Sequence, residues 1–127
     1  SLYESAMNKP QLLLVDDESA VQSALRRTLR RQGYTTLFAA NAAEALEILT
    51  TNTVGIIISD FRMPGMDGVE VLRRVKEKWK DLPVILCTAY PHYKHDFGTW
   101  ASDAYITKSS DLTELKQTVK DILGKKP

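Results

Sequence analysis

Short apolar runs alternate with segments of helical spacing along this chain. "QLLLV" (Gln11 to Val15) is continuously hydrophobic, as expected of a strand covered on both faces. Behind it Val21, Ala24, Leu25, Thr28 and Leu29 recur at helical intervals up to Gly33, which predicts a helix closed by a glycine cap. The unit repeats at "TTLFA" (Thr35 to Ala39). Asn41 then stands as an N-cap with Glu44 three residues on, followed by an apolar stripe of Ala42, Ala45, Leu46 and Leu49. Val54 to Ser59 predicts a third strand. The third helix starts near Gly68, capped by Asp67 with Glu70 in the capping-box position, and buries Val71, Leu72, Val75 and Trp79. "PVILC" (Pro83 to Cys87) is the fourth strand, and the aromatic-rich "YPHYKHDFGTWAS" after it, interrupted by Gly98, predicts a short fourth helix. "DAYIT" (Asp103 to Thr107) is the fifth strand. A last helix from Ser110 carries Leu112, Leu115, Val119 and Ile122 before Gly124.

Five strand–helix units joined by right-handed crossovers imply an α/β fold, a doubly wound five-stranded parallel sheet with helices on both faces. With 127 residues and 43% hydrophobic content the chain suits one core. We assign residues 11–124 to that domain, 1–10 to an N-terminal extension and 125–127 to the C-terminal end. The 17 basic and 16 acidic residues are spread along the chain and leave a formal charge of +1. That distribution offers neither a basic stripe for nucleic acid nor a polybasic patch for a membrane. The single cysteine, Cys87, excludes an internal disulfide and fits a reducing compartment. No apolar run approaches the length of a bilayer span, and "SLYESAMNKP" lacks the apolar centre of a signal peptide, so a cytoplasmic location is expected.

A doubly wound sheet carries its site beyond the carboxyl ends of the strands, where strand order reverses. The residues there are Asp16 and Asp17 after the first strand, Asp60 after the third, Thr88 after the fourth and Lys108 after the fifth. Converging carboxylates repel one another and at neutral pH need either retained protons or a cation. Oxygen donors without His or Cys suit Mg²⁺ rather than zinc. A carboxylate beside Mg²⁺ can act as a nucleophile on phosphorus and form an aspartyl phosphate. Lys108 would then neutralise phosphoryl charge, and Thr88 would donate a hydrogen bond to a phosphate oxygen. His92 and His95 fall in a polar segment away from the acids, and Asp67 is assigned to capping rather than to the metal.

At these residues the sequence resembles the response-regulator receiver domain of two-component signalling, over about Gln11 to Leu123. Four stretches carry the resemblance: "VDDE" after the first strand, "DFRMPGMDG" after the third, "TAY" after the fourth and "YITK" around the fifth. It implies a flavodoxin-like sheet of order 2-1-3-4-5. It also implies Asp60 as phosphoacceptor, Asp17 as a direct Mg²⁺ ligand, Asp16 as a ligand through water and the backbone carbonyl of Arg62 as a further ligand. Thr88 and Lys108 match the phosphate-contacting positions and Tyr105 the aromatic switch. The implied partners are a sensor histidine kinase or phosphotransfer protein, and an effector reading the face of the fourth helix, fifth strand and fifth helix. Ser109 follows Lys108 where the family usually carries a cis proline.

Two other function classes share parts of this pattern. A Mg²⁺-dependent aspartyl-phosphate phosphohydrolase of the haloacid-dehalogenase type carries a second acid two residues after its nucleophile, where this chain has Arg62. A flavin carrier of the same topology needs a Gly- and Ser/Thr-rich phosphate loop after the first strand, and "QLLLV" runs into acids instead. A receiver-like interaction module that is never phosphorylated keeps the fold without the chemistry.

Overall fold

The computed structural model describes residue 10, five strands, four helices and their connections within residues 10–60, 68–88, 103–107 and 112–124. The elements in chain order are β1 (Gln11–Val15), α1 (Ser19–Arg31), β2 (Thr35–Ala39), α2 (Ala42–Thr51), β3 (Ile56–Asp60), α3 (Gly68–Lys78), β4 (Val84–Thr88), β5 (Ala104–Thr107) and α4 (Thr113–Gly124). The segment expected to form a helix between β4 and β5 lies outside the described residues, so α4 is the helix expected fifth in the chain. All strand pairs are parallel and the order is β2-β1-β3-β4-β5. This is the expected topology, with the reversal of strand order at β1 and β3.

Strand alternation divides the core in two. Leu13, Val15, Ile57, Val84 and Leu86 face Ala42, Ala45 and Leu49 of α2 and Val71, Leu72 and Val75 of α3. Their neighbours Leu12, Leu14, Ile56, Ile58, Ile85 and Cys87 face Leu29 of α1 and Leu115 and Val119 of α4. A strand buried on both faces must be apolar at every position, which is why β1 and β3 read as unbroken hydrophobic runs. Ala24, expected in the buried stripe of α1, is exposed; Leu29 is buried, Leu25 and Thr28 are partly covered, and the side chain of Val21 lies outside the described residues.

Helix ends follow the local chemistry of the sequence. Asn41 Oδ1 accepts the Glu44 N–H at 2.9 Å, and Glu44 Oε2 accepts the Ala40 N–H at 2.7 Å, so two donors at the start of α2 are satisfied. Helix α1 ends with Gly33 at φ 92°, a left-handed conformation that favours glycine. There the Gly33 N–H bonds the Arg30 carbonyl at 2.9 Å and the Tyr34 N–H bonds the Leu29 carbonyl at 3.2 Å, the hydrogen-bond pair of a Schellman motif. At the amino edge of the sheet, Asp103 Oδ2 accepts both the Val84 N–H at 2.8 Å and Lys76 Nζ at 3.0 Å. Lys76 Nζ also donates to the Leu82 carbonyl at 2.8 Å. The end of α3 and the starts of β4 and β5 are thereby clamped together. No described helix is long and apolar enough to cross a membrane.

Candidate functional site

Parallel pairing sets the acids side by side. Val15 faces Ser59 across the β1–β3 ladder, so the next residues, Asp16 and Asp60, stand opposite one another at the carboxyl edge. Both are buried, with relative exposures of 3% and 9%. Acids at such positions are costly to ionise unless compensated, which makes their pairing informative. The third strand extends one residue further than the pattern predicts: Asp60 is its last residue and faces Cys87 of β4.

Asp17, next in the chain, is exposed, and Glu18 joins it and Asp16 in a cluster of acids. Carboxylate oxygens of Asp16, Asp17 and Glu18 all lie within 4.8 Å of one another. Glu18 is the N-cap residue of α1, yet its side chain makes no capping hydrogen bond. The Glu18 backbone N–H instead donates to Asp16 Oδ1 at 2.8 Å. Asp16 therefore shapes the turn into α1 as well as presenting its carboxylate at the edge. Glu18 is a member of the cluster that the sequence reading did not single out, although it is the last letter of "VDDE".

The remaining expected residues divide into two groups. Thr88 is the last residue of β4 and pairs with Thr107, the last residue of β5. Tyr105 lies in β5 opposite Leu86 and is partly buried against the core shared with α2 and α3. Arg62, Lys108 and the Lys108–Ser109 peptide lie outside the described residues, as do Asp67, His92 and His95. The structure thus brings together Asp16, Asp17 and Glu18 at the end of β1, places Asp60 at the end of the adjacent strand β3 but outside that 4.8 Å group of carboxylate oxygens, and ends β4 with Thr88 on the far side of Asp60. An all-oxygen donor set at this spacing fits a hard divalent cation such as Mg²⁺.

A second contact escaped the sequence reading. The side-chain amide of Gln22 in α1 donates to the carbonyls of Asp16 and Ala39, the latter at 3.0 Å. No spacing rule signals it, because the link depends on the ends of β1 and β2 lying together.

The model of the response regulator receiver domain matches residues 12–120, and the chain belongs to that family. It is a phosphorylatable receiver of two-component signalling, built on the signalling fold expected from its motifs. It is 31% identical over 119 residues to sporulation initiation phosphotransferase F of Bacillus subtilis, covering 92% of this chain and 96% of that protein. Identity to the DNA-binding transcriptional regulator NtrC of Escherichia coli is 36% over 110 residues, 85% of this chain but 24% of NtrC. Among solved structures, the response regulator TrrA of Thermotoga maritima in complex with Mg²⁺ and BeF superposes with a TM-score of 0.86 at 39% identity, over 89% of this chain and 98% of that one. TrrA bound to the histidine kinase ThkA gives a TM-score of 0.85 at 39% identity, over 90% and 98% of the two chains.

Proposed function

We propose that Asp60 is the residue phosphorylated in this receiver, with Mg²⁺ held beside it by Asp17, by Asp16 through water, by the Arg62 carbonyl and by Asp60 itself. The observation that carries this reading is the register: Val15 pairs with Ser59, so Asp16 and Asp60 follow on adjacent strands, and Asp16 belongs to the group with Asp17 and Glu18 whose carboxylate oxygens lie within 4.8 Å of one another. The donor is a histidine kinase or phosphotransfer protein, by analogy with the pairing of TrrA and ThkA. An Asp60 carboxylate oxygen attacks phosphorus while the bond from phosphorus to the donor's imidazole nitrogen breaks. The electron pair leaves with that nitrogen and an acyl phosphate remains on Asp60. Mg²⁺, when bound, offsets charge on the phosphoryl oxygens. Lys108 supplies a second countercharge, and the Thr88 hydroxyl donates to a phosphoryl oxygen. The chemistry is self-directed: the chain catalyses only its own phosphorylation and dephosphorylation, in the cytosol, where its single thiol stays reduced. Incubation with acetyl phosphate and Mg²⁺ should add one phosphoryl mass to the intact protein and none to Asp60→Asn. Undiminished labelling of that variant removes Asp60 from the role.

The phosphorylated state is read on the side of β5. Movement of Thr88 towards the phosphoryl group frees volume beside β4, and Tyr105 on the adjacent strand turns inward to fill it. A charge at Asp60 then biases a two-state surface that an effector binds, provided the phosphoryl contacts differ between the states. Side-chain NMR of Tyr105 with and without beryllium fluoride checks this. Identical ring environments in the two conditions would mean that the signal leaves by another route.

A further inference from the structure

Gln22 sits one turn into α1, and its backbone N–H already has a helical partner in the Glu18 carbonyl at 3.1 Å. Its side chain is not needed to start the helix. The amide nitrogen instead reaches back over the turn and donates to the carbonyls of Asp16 and Ala39. Ala39 ends β2, and its carbonyl also accepts the Asp16 N–H, at 3.1 Å. Asp16 is therefore held at both of its backbone polar groups: the N–H by Ala39 directly, the C=O by Gln22, with Ala39 and Gln22 bonded to each other. The Asp16 carbonyl is one half of the Asp16–Asp17 peptide plane. A fixed plane sets the direction in which the Asp17 side chain leaves the backbone.

We infer that Gln22 is a positioning residue for the acidic site, holding the Asp16–Asp17 peptide in the orientation that brings the Asp17 carboxylate beside those of Asp16 and Glu18. The inference rests on the proposed Mg²⁺ site and adds the group that orients it. Partners of this kind hold ligands without touching the metal, and their loss weakens metal binding about 10–100-fold. A residue that merely ties α1 to the sheet would change stability and leave the affinity alone.

The test is a calorimetric Mg²⁺ titration of the full chain, with the thermal midpoint measured in parallel without Mg²⁺. Gln22→Met keeps the side-chain length but removes both N–H donors, and it should raise the Mg²⁺ dissociation constant about tenfold. Gln22→Arg restores N–H donors and should recover most of that loss. A Gln22→Met protein that binds Mg²⁺ as the wild type does, with only its midpoint lowered, overturns the inference. So does Gln22→Arg binding as weakly as Gln22→Met, since the donors would then not be the cause. If Gln22→Met does not fold, the wild-type protein decides: the Gln22 side-chain amide resonances should shift with the Asp16 and Asp17 amides during the titration. Unmoved Gln22 resonances at saturation overturn the inference. Wild-type protein that fails to bind Mg²⁺ removes the proposed metal site itself, whereas equal binding by wild type and Gln22→Met removes only the role of Gln22.

Discussion

At the amino edge of the sheet one carboxylate, that of Asp103, is placed between a backbone N–H and an ammonium group. At the carboxyl edge three carboxylates gather with each other and a fourth, Asp60, stands on the next strand. The same residue type serves opposite ends by opposite means. Asp103 closes hydrogen bonds that the edge of a sheet would otherwise leave open, so it works for stability. The acids of the far edge raise the local negative charge, which opposes folding and suits a cation. On the proposed assignment, function is concentrated where the fold tolerates repulsion, and stability where it removes it.

The largest expected effect comes from the carboxyl edge. Asp17→Ala should abolish Mg²⁺-dependent labelling by acetyl phosphate, while the Mg²⁺-free thermal midpoint stays at or above that of the wild type because a like charge has gone. A strongly lowered midpoint would erase the contrast between the two edges. Mass spectrometry and a thermal melt on the same sample give both readings.

A smaller effect is expected at the amino edge. Asp103→Ala leaves the Val84 N–H and Lys76 without this acceptor, and should cost about 1–3 kcal/mol. The Lys76–Asp103 ion pair is a lesser part of that cost, since side-chain exposures of 23% and 37% leave it partly screened. Asp103→Asn keeps an oxygen for Val84 and should be milder than Asp103→Ala in urea unfolding, with labelling unchanged in both. Equal losses would mean that the charge, not the backbone hydrogen bond, holds this edge.

The smallest effect is expected among the surface ion pairs of α3. Hydrogen bonds from Arg73 and then Arg74 hold the Glu70 carboxyl down to about 2. A carboxyl lowered on folding stabilises the native state above its unfolded value, near 4.5, and that contribution is lost as pH falls from there towards about 2. Because Glu70 is exposed, the effect should be slight and should shrink in salt. The difference in unfolding midpoint between wild type and Glu70→Gln should narrow across this acid range. A difference that persists unchanged at the acid end would assign it to packing.

Much of this was legible because a two-sided strand writes itself as a continuous apolar run. The strands, the helices that carry Ala45, Leu72 and Leu115, and the acids at the ends of β1 and β3 all follow from that pattern. Three things did not. "LLLV" contains no polar position to show which residues face which helices, so the division of the core appears only with the register. Ala24 is too small to reveal whether a helix buries it, and its exposure follows from where Leu25 and Leu29 point. Gln22 reads as an ordinary polar residue on a helix, because its partners Asp16 and Ala39 are brought together only by strand pairing.

The division of the core has a consequence for how substitutions in this chain combine. Leu13 and Leu14 are covalent neighbours that share no side-chain environment: one packs with α2 and α3, the other with α1 and α4. Energetic coupling between substitutions depends on shared partners rather than on nearness in sequence. Epistasis in this protein is thus partitioned by the parity of strand positions. A change at Leu13 alters what is tolerated at Leu72, a change at Leu14 what is tolerated at Leu29, and the sheet between them keeps the two mutational histories largely separate.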